Sequence, residues 1–323
     1  MSAASAGRCF STALSEASVS RHRMSMMITS PYAEQLARIP VRAHRTVVAG
    51  TETAWWEYGA ADDPVLVLVH GFRGDHHGLE PVVAQLPGFR IISPDLPGFG
   101  ESATFTGRPH DISAYADWLG AFIDTLDLEG HYVLLGHSFG SIVSAAAVAG
   151  GLAPERLVLV NPIGAPALEG PRGVMTRLAV LYYRTAAALP ERAGFALLRN
   201  GAIVRVMSVT MAKTRSKSLR RFIHDQHDRY FSAFGDRDAV LEAFRASVSH
   251  DVSQYAAGIT VPTLLVAAER DDVTPLAAQH RLVTLFPDAS LEVIPEVGHL
   301  IHYETPGDAA SRILRFLRAE ARA

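Results

Sequence analysis

The sequence is poor in cysteine and has no long apolar run, and each shortage excludes a class of protein. Cys9 is the single cysteine among 323 residues, so no disulfide can form within the chain, and a cytoplasmic location is expected. No apolar stretch reaches the roughly 20 residues that span a bilayer, so we expect no stable membrane insertion. No cluster of cysteine and histidine has the spacing of a structural zinc site, and no metal is expected.

The chain also has little net charge, with a formal value of −3 at pH 7. This balance gives no indication of nucleic acid as a partner. The charge is uneven, however: residues 161–250 carry 14 Arg and Lys against 7 Asp and Glu, a net +7 that leaves −10 for the rest. Such a basic segment could steer anionic substrates or touch an anionic membrane surface, but amphipathic helices with solvated arginines would give the same count.

Apolar runs of strand length alternate with helical patterns along most of the chain. Strands are predicted at residues 53–58, 65–69, 89–93, 132–135, 157–160, 262–268 and 291–294, and helices at 112–128, 138–150, 277–286 and 306–320. This alternation indicates an α/β fold, with a mostly parallel central sheet and helices on both faces.

The same patterns divide the chain into parts. Residues 41–160 and 251–323 are expected to form the α/β core. Residues 161–250 contain no strand pattern, so we expect a helical cap inserted before the last two strands. The first 30 residues are rich in Ser, Ala and Arg, and residues 1–40 are expected to be a disordered N-terminal extension.

A candidate nucleophile lies between a predicted strand and a predicted helix. Ser138 is the centre of Gly-His-Ser-Phe-Gly, residues 136–140, which fits the pattern G-x-S-x-G. Glycines suit this position because a serine raised on a tight strand-to-helix turn leaves no room for neighbouring side chains. The strand before and the helix after make this short motif specific, and Ser138 is the predicted nucleophile.

A serine hydroxyl needs a base, and the base needs a carboxylate to orient it. His299 follows the last predicted strand, and Asp271 and Asp272 follow the strand before it. Parallel strands bring their carboxyl ends to one crevice. We therefore expect His299 and one of the two aspartates to meet Ser138.

Together the motifs resemble the α/β-hydrolase superfamily over roughly residues 45–318. Besides the serine motif, the resemblance rests on His-Gly-Phe at 70–72, on Asp-Leu-Pro-Gly-Phe-Gly-Glu-Ser at 95–102, and on the paired segments 269–275 and 298–299. In that family the acid lies four residues before a proline, here Pro275, which favours Asp271 over Asp272.

The resemblance also implies roles for other residues. It assigns the oxyanion hole to the backbone N–H groups of Phe72 and Phe139. Residues of the same motifs are expected to line the substrate pocket, namely His70, Gly71, His137 and Leu300.

The predicted reaction is hydrolysis of an ester-like bond in a small, partly apolar molecule, through an acyl-enzyme and without a cofactor. A serine at this position argues against epoxide hydrolases and haloalkane dehalogenases, which use aspartate. Carbon–carbon bond hydrolases, thioesterases and lipases remain open, as do a non-catalytic ligand-binding protein and a scaffold at a membrane surface. A homodimer is also left open.

Overall fold

The computed structural model describes residues 28–128, 130–165 and 173–319. The prediction of disorder for residues 1–27 lies outside this part of the chain. Residues 28–40, for which disorder was also predicted, differ from the expectation, since they include the short helix α1 (Ala33–Leu36). The hydroxyl of Tyr32 donates a hydrogen bond to the carbonyl of Tyr303 at 2.7 Å, which ties this segment to the core.

Eight strands form one sheet, which confirms the predicted fold class. They are β1 (Val41–Val48), β2 (Thr51–Tyr58), β3 (Val65–Val69), β4 (Arg90–Pro94), β5 (Tyr132–His137), β6 (Arg156–Val160), β7 (Thr263–Ala268) and β8 (Ala289–Ile294). Their order is β1-β2-β4-β3-β5-β6-β7-β8. The pairs β1–β2 and β2–β4 are antiparallel, and all other pairs are parallel.

Strand β1 was not predicted from the sequence. It lies at the edge of the sheet and is mostly exposed, so it lacks both the continuous apolar run of a buried strand and a clean alternation. The central strands differ, because neighbouring residues point into separate apolar layers. In β5, Leu134 contributes to the layer with α3 and α4, and Leu135 to the layer on the other face.

Helices cover both faces of the sheet and also form an insertion. Those of the core are α2 (Glu80–Val83), α3 (Ile112–Thr125), α4 (Phe139–Ala149), α10 (Leu276–Val283), α11 (Ile301–Glu304) and α12 (Pro306–Ala319). Between β6 and β7 lie α5 (Gly173–Ala188), α6 (Glu191–Leu198), α7 (Gly201–Met211), α8 (Lys217–Tyr230) and α9 (Arg237–Ser249). We call residues 173–249 the helical insert. Within the described ranges, no helix is long and apolar enough to cross a membrane.

Candidate active site

Ser138 lies on a sharp turn between β5 and α4. Its backbone has φ 53° and ψ −117°, a strained conformation for a residue with a side chain. The adjoining glycines allow the chain to pass this closely: a Cβ on Gly140 would lie 2.2 Å from the carbonyl oxygen of Val69, and one on Gly136 would lie 2.5 Å from that of Gly140. The turn therefore depends on the two glycines that define the motif.

The structure brings Ser138, His299 and Asp271 together. His299 Nε2 lies 2.8 Å from Ser138 Oγ, and His299 Nδ1 lies 2.8 Å from Asp271 Oδ2. His299 is 7% exposed and Asp271 1%, so water is largely excluded from their hydrogen bond. If Nδ1 carries the proton that it shares with Asp271, Nε2 is free to accept the proton of the serine hydroxyl.

Asp271 is held by more than the histidine. It accepts hydrogen bonds from the backbone N–H groups of Val273 at 2.7 Å and Thr274 at 3.0 Å, and from the Thr274 hydroxyl at 2.8 Å. Burial raises the pKa of Asp271, but His299 and these donors outweigh it and hold the pKa below its usual value. The carboxylate is therefore ionised at neutral pH.

Asp272 contacts the helical insert. Its carboxylate is exposed and forms an ion pair with Lys213 of the helical insert. Of the two candidate acids, Asp271 is the one whose carboxylate lies 2.8 Å from Nδ1 of His299.

The two predicted oxyanion donors lie beside the nucleophile. Phe139 is the first residue of α4, and Phe72 follows β3 in a loop that approaches Ser138 at Gly71. A Cβ built on Gly71 would be 3.3 Å from the Cβ of Ser138. Neither backbone N–H donates a hydrogen bond to another described residue, which is the condition that an oxyanion hole requires.

His70 supports this loop. Its Nδ1 lies 2.8 Å from the carbonyl of Gly71, and its Nε2 accepts a hydrogen bond from the N–H of Leu96 at 2.8 Å. These two contacts assign the neutral tautomer with the proton on Nδ1. Burial lowers the pKa of His70, consistent with that neutral form.

Sequence reasoning missed Asn161, which supports the histidine loop. Asn161 is fully buried directly after β6, with φ 44°. Its amide donates to the carbonyl of His299 at 2.7 Å, and its side-chain oxygen accepts from the N–H of Ala268 at 3.0 Å. A polar residue at the carboxyl end of a buried strand was the available signal.

A cavity of ≈ 660 Å³ opens beside Ser138. The four predicted pocket residues, His70, Gly71, His137 and Leu300, all line it. One wall is aromatic: the ring of Phe72 has centroid distances of 5.8 to 6.2 Å to Phe99, Phe139, Tyr183 and Phe244. The helical insert supplies Tyr183 and Phe244, so core and insert build this wall together.

Arg73, next to Phe72, joins the core loop to the insert. Its side chain is buried and donates to the carbonyl of Phe231 at 2.9 Å, to that of Leu198 at 2.7 Å and to the Tyr183 hydroxyl at 3.2 Å. No described carboxylate forms an ion pair with it. Neutral acceptors and the faces of Phe231 and Phe234 therefore stabilise its charge.

A second group of polar residues, Asp75, His76 and His77, offers ligand atoms within 4.8 Å of one another. The spacing of cysteine and histidine in the sequence predicts no metal site, yet the fold puts Asp75 beside both histidines. Each group is engaged within the protein: His76 Nδ1 lies 2.9 Å from Asp95 Oδ1, and His77 Nδ1 lies 3.3 Å from Asp75 Oδ1. These contacts fix the loop after β3.

Comparison with known proteins decides the family. The model of the alpha/beta hydrolase family matches residues 66–312, which include the serine, aspartate and histidine described above. The chain belongs to the alpha/beta hydrolase family. The predicted resemblance is confirmed, and with it the expectation that the chain is a hydrolase.

Individual relatives are distant and differ in their named chemistry. The chain is 27% identical over 276 residues to the dihydrolipoyllysine-residue acetyltransferase component of the acetoin cleaving system of Pseudomonas putida, covering 84% of this chain and 68% of that protein. It is 25% identical over 290 residues to the 2-hydroxy-6-oxo-6-(2'-aminophenyl)hexa-2,4-dienoic acid hydrolase of Metapseudomonas resinovorans, covering 84% and 89%.

A solved structure shares the fold. A thermophilic esterase from Thermogutta terrifontis superposes with a TM-score of 0.68 at 24% identity, covering 86% of this chain and 98% of that one. At this identity the likeness concerns the fold and leaves the substrate open.

Proposed function

We propose that the protein is a serine hydrolase that cleaves an ester-like bond of a small, partly apolar molecule through an acyl-enzyme. The observation that carries the proposal is the buried series of contacts from Asp271 through His299 to Ser138, each of 2.8 Å, at the edge of a cavity. Three groups in this order are the arrangement that activates a serine hydroxyl.

In the proposed reaction, His299 Nε2 accepts the proton of Ser138 as Oγ attacks the carbonyl carbon. The negative oxygen that forms is stabilised by the N–H groups of Phe72 and Phe139. His299 then protonates the leaving group. In the second half-reaction His299 takes a proton from a water molecule that attacks the acyl carbon, and it returns this proton to Ser138 Oγ as the carbon–Oγ bond breaks and the acid is released. Ionised Asp271 holds the imidazole in its tautomer and stabilises the imidazolium.

We also propose that residues 161–250 act as a cap that selects the substrate. Support comes from the cavity lining, to which α5, α7, α8 and α9 of the insert all contribute. Its aromatic wall suits an apolar acyl or alcohol group. Family membership alone does not choose between ester, thioester and carbon–carbon bonds, since one fold supports many reactions.

The test compares the protein with Ser138→Ala on p-nitrophenyl esters of increasing acyl length, alongside labelling by a fluorophosphonate. We expect the wild-type protein to turn over these esters and to be labelled, and Ser138→Ala to lose both by a factor of about 10⁴ or more. A non-catalytic binding protein would show no turnover.

Ser247→Ala is a matched control. Ser247 lines the same cavity, but its hydroxyl donates to the carbonyl of Phe244 at 2.8 Å and has no imidazole beside it. It should keep both labelling and turnover. Turnover retained by Ser138→Ala would refute the proposal.

A further inference from the structure

Two imidazoles of the insert share one buried hydroxyl. Ser208 of α7 is 0% exposed, and its Oγ lies 2.6 Å from His224 Nδ1 and 2.7 Å from His227 Nδ1, both on α8. A hydroxyl has one proton, so it donates to one ring and accepts from the other. Each ring is therefore hydrogen-bonded to Ser208 through its Nδ1, and this bond fixes the orientation of His227.

His227 belongs to the wall of the cavity that holds Ser138. A continuous run of rings leads to it from the candidate base: His299 to His137 at 5.7 Å, His137 to His302 at 4.2 Å, His302 to Tyr303 at 4.3 Å and Tyr303 to His227 at 5.7 Å between centroids. We call the side of the cavity formed by the rings of His137, His302, Tyr303 and His227 the polar wall. It is distinct from the aromatic wall around Phe72.

Three other polar side chains of the cavity wall are already engaged, whereas the buried atoms His137 Nε2 and His302 Nδ1 have no hydrogen-bond partner among the described residues. The hydroxyls of Thr210 and Ser247 donate to carbonyls of their own helices, and Lys213 pairs with Asp272. By contrast, neither Nε2 of His227 nor the hydroxyl of Tyr303 is hydrogen-bonded to any residue that the structure describes. Polar atoms of a cavity wall that have no partner within the protein can hydrogen-bond a group that arrives with the ligand.

The ring of His227 is uncharged. Burial lowers the pKa of His227 to about 3, with neighbouring His224 and Arg205 acting in the same direction, so the ring is neutral. Asp75, which also lines the cavity, lies beside His77: burial lowers the pKa of His77, but Asp75 outweighs this and raises it.

A neutral imidazole nitrogen is a donor in one tautomer and an acceptor in the other, and a hydroxyl can pair with either. We propose that His227, oriented by Ser208, and Tyr303 form a polar subsite that hydrogen-bonds a hydroxyl group of the substrate. This inference rests on the proposed function and assigns part of its specificity. The substrate then has an apolar part against the aromatic wall and a hydroxyl-bearing part against this one.

The experiment uses two pairs of esters that differ by hydroxyl groups. Glyceryl monobutyrate against propyl butyrate places hydroxyls on the alcohol side, and ethyl 3-hydroxybutyrate against ethyl butyrate places one on the acyl side. The readout is the ratio of kcat/KM for the hydroxylated ester to that for its partner. His227→Phe and Tyr303→Phe should each lower this ratio about 3- to 10-fold in one pair, the loss of one neutral hydrogen bond.

Ser208→Ala should lower the same ratio, because His227 loses its anchor. Thr210→Val is the matched control, since it removes a polar group of the cavity wall that is bonded to its own helix, and its ratios should equal those of the wild type. Thermal melting checks that each variant is folded. The conservative Tyr303→Phe keeps the test valid if Ser208→Ala is unstable.

Ratios unchanged within about twofold in both pairs, for His227→Phe and Tyr303→Phe alike, would overturn the subsite while ester hydrolysis itself stands. A wild-type protein that hydrolyses none of the four esters would instead remove the proposed function and, with it, this inference. A loss in either pair supports the subsite and tells which side of the ester faces it.

Discussion

The sheet core and the helical insert contribute to the cavity in different ways. The core supplies Ser138, Asp271 and His299 from the ends of separate strands, each held by backbone hydrogen bonds or close glycine contacts. The insert supplies none of the three. It adds wall residues such as Tyr183, Phe244 and His227 on helices that pack over the core. This difference supports the proposal that strand ends fix the chemistry and that the insert contributes to the choice of substrate.

The largest difference between core and insert is expected in kcat, when the candidate acid Asp271 of the core is compared with Asp272, which pairs with the insert. Asp271→Asn should lower kcat by about 10⁴-fold, because an amide no longer holds the tautomer of His299 in which Nε2 can accept a proton. Asp272→Asn breaks the exposed ion pair with Lys213 of the insert and should cost less than about fivefold. Steady-state kinetics on one ester measures both. The reverse order of effects would transfer the role of the acid to Asp272.

Arg73 tests whether core and insert are mechanically joined. Arg73→Met removes the guanidinium donors to the carbonyls of Phe231 and Leu198, of which Leu198 keeps only the Tyr182 hydroxyl among the described donors, so the free energy of unfolding should fall by about 3 kcal/mol. Urea denaturation measures this, and limited trypsin digestion should cleave the insert faster. Arg199→Met is the control: Arg199 is an exposed residue of the insert over the ring of Phe195, and its loss should cost under about 0.5 kcal/mol.

If Arg73→Met and Arg199→Met were equally stable and equally resistant to trypsin, the buried guanidinium would not join the two regions. The insert would then be attached through its apolar contacts alone.

A fall in pH should lower the free energy of unfolding through buried histidines of both the core and the insert. Burial lowers the pKa of His137 in the core and of His227 in the insert to about 3. In the unfolded chain each histidine binds a proton near pH 6.5, whereas in the folded protein it stays neutral, so stability falls as the pH drops below that value. Between pH 7 and pH 5 we expect a loss of about 2 kcal/mol for each histidine.

Urea denaturation at pH 7, 6 and 5 follows this loss, and His227→Phe removes the contribution of His227 while leaving that of His137. A free energy of unfolding that is constant over this range would contradict neutral burial of both rings.

The sequence alone predicted the fold and the candidate triad because both depend on local patterns. Buried runs mark the central strands, and Ser138, Asp271 and His299 each follow one of them. It did not reveal β1, whose edge position leaves no clear pattern, or Asn161. Arg73 and His227 were also missed, because their significance depends on partners such as Phe231 and Ser208, which only folding brings near. Substrate specificity is hard to predict from the sequence for the same reason, because it depends on residues that only folding brings together.

The central claim is that Ser138 carries the acyl group during turnover. Rapid mixing with p-nitrophenyl butyrate, followed by acid quenching and mass spectrometry of the digested protein, tests it directly. We predict a burst of about one p-nitrophenolate per chain and a butyryl group on the peptide that contains Ser138, both absent from Ser138→Ala. Turnover with no acylated peptide, or a butyryl group on another residue, would contradict the account.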